Sequence, residues 1–118
     1  MKAVEAGDRE AWLGLFSPDA VVEDPIGPSP MDPAGRGHRG PEAIAAFYDS
    51  VIGPNEVRFR IERSHAAGNE VANVGTITTT MGDGTVVHTD LVATYRVDDE
   101  GKVLALRAFW ELDKLRFG

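Results

Sequence analysis

With 118 residues, 42% of them hydrophobic and 26% charged, the chain has the composition of one globular domain, residues 1–118, large enough to bury a core. Nineteen acidic against twelve basic residues leave a formal charge of −7, which repels phosphate backbones and argues against a nucleic-acid partner. The absence of cysteine removes disulfides, thiolate metal sites and cysteine nucleophiles. No apolar run approaches the roughly 20 residues that span a bilayer, and the opening MKAVEAGDREAW has no apolar signal core. A cytoplasmic protein with no membrane partner is expected.

In chain order, Asp8 is a good N-cap, and Ala11, Trp12, Leu15 and Phe16 share one helical face, which predicts a helix over residues 8–16. Ser17-Pro18-Asp19 ends it, and the short apolar run Ala20-Val21-Val22 leads to Glu23-Asp24-Pro25. Residues 25–41, with five prolines among four glycines, read as a loop long enough to be a lid or binding loop. Pro41 suits the first position of a second helix over 41–52, whose Ile44, Phe47, Tyr48 and Val51 form a core-facing stripe. Gly53-Pro54 stops it.

The remainder reads as strands near 57–63, 70–81, 85–97 and 102–111. Gly82-Asp83-Gly84 signals a hairpin between the second and third of them. Helices followed by a strand meander indicate an α+β fold. Phe16, Phe47, Tyr48, Tyr95 and Trp110 are assigned to inward faces, and Thr76, Thr78, Thr80, Val86, Val92 and Thr94 to the opposite sheet face. That half-polar face suits a homodimer interface.

Asp24 is the sharpest candidate for chemistry. Proline at 25 biases it towards extended geometry, and strand alternation sends Glu23 to the other face. A turn-starting Asp-Pro is the plainer reading. In an apolar cavity under a curved sheet, the Asp24 carboxylate would gain a raised pKa and serve as a general base. The histidines 38, 65 and 88 lie in separate segments without metal-ligand spacing, and read as loop or strand-surface residues. Neither a metal nor another cofactor is expected.

Three segments, AGDREAWLGLFSPDAVVEDPIG (6–27), GPEAIAAFY (40–48) and VDDEGKVLALRAFW (97–110), resemble the Δ5-3-ketosteroid isomerases and their SnoaL-like relatives. The resemblance runs through the chain, apart from an insertion in the Pro/Gly loop. It implies a cone-shaped, curved antiparallel sheet with helices on its concave face, a cystatin-like α+β roll. It also implies an apolar, steroid-like ligand and proton transfer on an unsaturated ketone through a dienolate.

Carried over by position, Asp24 is the base. Phe47 and Tyr48 line or support the pocket, with Tyr48 a conceivable hydroxyl donor. Trp110 packs on the ligand's rings, and Ala93, Tyr95, Leu106 and Ala108 complete the binding surface. The family's two oxyanion donors are not matched. Its first-helix tyrosine falls just ahead of Met1, and its strand aspartate aligns with Ala93. The rival expectations are a non-catalytic binder of apolar ligands and another activity of this fold, polyketide cyclisation or epoxide hydrolysis.

Overall fold

The structure, a computed structural model, describes residues 2–118. Two short helices, α1 (Lys2–Glu5) and α2 (Arg9–Leu13), precede the first strand, β1 (Phe16–Glu23). A two-residue strand β2 (His38–Arg39) leads into α3 (Gly40–Phe47), which continues as a π-helical turn over Tyr48–Ile52. Four long strands follow: β3 (Glu56–Ala67), β4 (Glu70–Thr80), β5 (Val86–Val97) and β6 (Val103–Phe109). A single 3₁₀ turn (Leu112–Lys114) and β7 (Arg116–Phe117) close the chain. None of the described helices is long and apolar enough to cross a membrane.

All seven strands belong to one curved sheet of order β2-β1-β6-β5-β4-β3, with β7 added to β5. The α+β class and the order of helices and strands agree with the sequence reading. One ladder differs: β1 runs parallel to β6, while every other pairing is antiparallel. The whole meander separates these two strands, so no tight turn dictates their relative direction.

The first helix is shorter than expected. Asp8 does cap it, accepting the Ala11 amide at 3.1 Å. It ends at Leu13, however, and Phe16 already lies in β1, so Pro18 sits inside a strand. The β1–β6 register shifts between Phe16 and Val21, and the Asp19 amide bonds to Ser17 Oγ at 3.2 Å. Proline is tolerated in that irregular stretch because no ladder donor is needed from it. The second helix covers the expected residues but widens at its end, where the Gly53 amide reaches back to the Tyr48 carbonyl at 2.7 Å. Strand β2 and the tail elements carry too few residues for a sequence pattern.

The core forms where the helices meet the sheet. Val4, Trp12, Ile44, Phe47 and Tyr48 pack on Ala20, Val22 and Val57. The Trp12 ring lies edge-on to Phe16 at 4.7 Å and beside Tyr48 at 5.3 Å. Helix α1 also protects the outer edge of β3, where Glu5 Oε2 accepts the Phe59 amide at 2.9 Å.

The sheet bends at one crossing. The β3–β4 register slips between Ile61 and Arg63, and Gly75 faces this bulge. A Cβ added at Gly75 would stand 2.1 Å from the Arg60 carbonyl oxygen, so the strands approach there only because residue 75 has no side chain. Replacing Gly75 with Ala is expected to cost about 2–3 kcal/mol of stability. Chemical denaturation should show this as a lowered midpoint with an unchanged slope.

Candidate functional site

Between the concave face and the helices lies a cavity of about 320 Å³. Strand alternation explains its lining. Asn73, Gly75, Ile77 and Thr79 of β4 face it, as do Thr89, Leu91, Ala93 and Tyr95 of β5. Leu106 and Ala108 of β6, with Trp110 beyond its end, continue the surface. Phe47 and Trp12 come from the helices, Met31 from the Pro/Gly loop, and Leu112 and Leu115 from the tail. Asp24 is the cavity's one carboxylate, and neither arginine nor lysine is among the lining residues.

Asp24 follows the last residue of β1, next to a cis peptide bond with Pro25. In the β1–β6 register Val22 stands beside Leu106 and Glu23 beside Arg107, which brings Asp24 level with Ala108. Glu23 turns the other way and accepts from Arg107 Nε at 3.1 Å, as alternation requires. The Trp110 indole Nε1–H donates to Asp24 Oδ1 at 2.5 Å. Burial in the apolar wall pushes the Asp24 carboxyl above its ordinary pKa, opposed by the Trp110 hydrogen bond and by the charge of His38. A neutral hydrogen-bond donor thus holds this carboxylate, with no cation paired to it directly.

Seven of the eight residues singled out from the sequence meet at this cavity: Asp24, Phe47, Ala93, Tyr95, Leu106, Ala108 and Trp110. Tyr48 does not. It is buried beside Trp12, behind the cavity wall, where the π-helical turn and Gly53 fix its ring. It therefore supports the helix–sheet core and offers no hydroxyl to the cavity. Tyr95 is the tyrosine that faces the cavity. Burial, and secondarily the charge of Asp24, push its phenol up to about 12, so it stays protonated at neutral pH.

Two residues gain a place that the sequence reading does not give them. His38 sits on β2 with its ring 4.6 Å from that of Phe47, and its charge reaches Asp24. Asn73 lies on the cavity face of β4, directly across from Ala93. A polar residue at an odd-numbered position of β4, whose even-numbered threonines face outward, is the signal that marks it.

This geometry, a concave sheet and short helices around an apolar cavity with one perturbed carboxylate, defines a cone-shaped α+β domain. The chain belongs to the SnoaL-like domain family, which it matches over residues 1–106. It is 30% identical over 110 residues to the steroid Δ-isomerase of Nocardioides simplex, covering 93% of this chain and 82% of that one. The crystal structure of a Δ5-3-ketosteroid isomerase from a Mycobacterium species superposes with a TM-score of 0.95 at 44% identity, over 99% of this chain and 91% of that one. A Mycobacterium tuberculosis protein crystallised with estradiol-17β-hemisuccinate superposes at 0.92 with 36% identity, over 98% and 91% of the two chains.

The raised carboxyl of Asp24 has a consequence for stability. A group whose pKa is raised by folding favours the native state when protonated, and that contribution is lost as pH rises through the folded value. Ionised Asp24 is thus a cost at neutral pH. Replacing Asp24 with Asn should stabilise the protein at pH 7, by an amount on the order of 1 kcal/mol. The gap should shrink as pH falls through the folded pKa of Asp24 and vanish below the ordinary carboxylate range. Thermal denaturation of both proteins across pH checks the sign.

Proposed function

We propose that the protein is a steroid Δ-isomerase, or an isomerase of another small unsaturated ketone, with Asp24 as its general base. The observation that carries this reading is the Asp24 carboxylate itself, held by a neutral indole in an apolar cavity with its pKa raised. Such a base is suited to taking a weakly acidic proton from carbon near neutral pH.

In the reaction, Asp24 removes a proton from the carbon between the carbonyl and the isolated double bond. The C–H electron pair shifts into the carbon framework and the carbonyl oxygen takes the negative charge, giving a dienolate. Asp24 then returns the proton to the far carbon of the conjugated system. The product is the conjugated enone, with no net change in atoms or electrons. Phe47, Leu106, Ala108 and Trp110 offer the apolar contact area for a flat ring system. The relatives named as steroid isomerases, and the one crystallised with a steroid ester, support a steroid as the ligand.

Asp24→Asn should lower turnover by about 10²–10⁴-fold or more while leaving ligand affinity nearly unchanged, because the base acts in the transition state. Ultraviolet absorbance of the conjugated enone reads the turnover. Steroid binding without turnover by wild type and variant alike would instead establish a ligand-binding protein.

We infer also that two copies pair through the outer sheet face. Val92 and Phe109 are neighbours there, Phe109 is 48% exposed, and Thr94 continues the patch beside Arg107. Light scattering at tens of micromolar should give twice the mass of the 12.7 kDa chain. Replacing Phe109 with Asp should halve it.

A further inference from the structure

Removing a proton beside a carbonyl places negative charge on the carbonyl oxygen, and an apolar site can hold that charge only with hydrogen-bond donors aimed at it. The cavity has few donors, and several are already committed. The Trp110 indole N–H is bound to Asp24, and Asn55 Nδ2 is bound to the Val51 carbonyl at 2.8 Å. The Thr76 hydroxyl is turned to the outer face, on Asp90 Oδ1 at 2.7 Å. Thr79 and Thr89 lie further along their strands. Thr89 is four residues from Ala93, roughly 13 Å at the rise of an extended strand.

The Trp12 indole N–H also borders the cavity, from the helix side; on the sheet floor beside Ala93, two donors remain near Asp24. Tyr95 follows Ala93 by two residues on the same face of β5, and among the described residues its hydroxyl has no hydrogen-bond partner. It is close enough to Asp24 for that charge to act on it. Asn73 pairs directly with Ala93 across the β4–β5 ladder. Its side-chain oxygen accepts the Ser64 hydroxyl at 2.6 Å, which fixes the amide and leaves its NH₂ as the end without a partner. Ala93, with only a methyl group, leaves the space between these two donors open. Ala108, the neighbour of Ala93 on β6 and level with Asp24, does the same on the side of the base.

We propose that the Tyr95 hydroxyl and the Asn73 amide form the oxygen-binding site of the cavity, above Ala93, and receive a carbonyl or enolic oxygen while Asp24 works on the adjacent carbon. This rests on the reading of Asp24 as a base for its catalytic part, but the binding part stands on its own. The order of the row, carboxylate, two alanines, then amide, sets the ligand across the strands with its oxygen towards β4. The site selects for flat, apolar ring compounds carrying one oxygen at the end that lies over β4. The phenol is suited to the role because a neutral hydroxyl on the cavity wall can donate to an oxygen.

The test uses two probes, 2-naphthol and naphthalene, titrated by fluorescence against wild type, Tyr95→Phe and Asn73→Leu. Wild type should prefer naphthol. Loss of either donor should weaken naphthol binding about tenfold for Tyr95 and several-fold for Asn73, with naphthalene affinity unchanged in all three proteins. Naphthalene thereby reports on whether a variant still folds around an intact cavity.

In turnover of an unsaturated ketone, Tyr95→Phe should lower kcat by about 10²-fold with KM little changed. Equal naphthol affinity in the three proteins, or equal losses for both probes, overturns the proposal. Failure of wild type to prefer naphthol also overturns it. If wild type prefers naphthol through these two residues but shows no Asp24-dependent turnover, the oxygen site stands and the isomerase reading falls.

Discussion

A carboxylate held inside a hydrocarbon wall is the constraint on which this site depends. Water would make Asp24 an ordinary weak base, and an arginine partner would hold it ionised and stabilised, with little appetite for a proton. The Trp110 indole is an intermediate solution. It supplies one hydrogen bond to the charged form, and it has no charge of its own to lower the pKa strongly. It also joins the residue that follows β1 to the residue that follows β6. The parallel β1–β6 ladder is what brings those two chain ends side by side, so the direction of that ladder decides whether the site exists at all.

The shape of the cavity has equally local causes. A flat sheet under α3 would press its side chains against the helix and leave no room. The register slip between Ile61 and Arg63, opposite a glycine whose missing side chain admits the Arg60 carbonyl, bends the long β3–β4 arm around the space instead. Ala93 and Ala108 then keep the middle of the floor low, while larger side chains, Leu91, Leu106 and Tyr95, stand around it. Small residues in the centre of a sheet face contribute little to hydrophobic burial. Their value here is the volume that they leave to a ligand.

Much of this was legible in the chain because it rests on strong periodicity or on stiff residues. The alternation through residues 85–97 put Tyr95 on the inward face, the family resemblance added Ala93, Leu106 and Ala108, and the ladders bring all four to the cavity side. The helical stripe of Ile44, Phe47 and Tyr48 marked three residues as core. Periodicity alone could not say which of the three would reach the cavity. Tyr48 lies at the start of a π-helical turn, which changes the angular spacing of the residues after it and locks its own ring against Gly53. Phe16 and Pro18 were misplaced for a related reason. Apolar spacing extended the helix past Gly14, and proline reads as a terminator when the strand containing it is irregular enough to do without its amide. Asn73 is a subtler case. Its face follows from the same alternation that puts Thr76 and Thr78 outside, but its meaning appears only when the ladder sets it opposite Ala93.

The neighbouring acids Glu23 and Asp24 show how the fold separates structural charge from chemical charge. Strand alternation sends them to opposite sides of the sheet. Glu23 meets Arg107 on the outer side, in an ion pair open enough to water to contribute little to stability. The other paired arginines among the described residues are likewise outside: Arg9 with Asp49, Arg58 with Glu56, Arg60 with Glu62 and Arg116 with Asp90. An acidic chain has enough carboxylates to engage these arginines at the surface, so none is needed within the cavity. Among the described residues, Asp24 is left with Trp110 as its direct side-chain partner and with the more distant charge of His38. The same two-residue motif thus supplies a solvent-facing tether between β1 and β6 and, one residue later, a cavity carboxylate whose raised pKa depends on that tether's cation staying on the far side of the sheet.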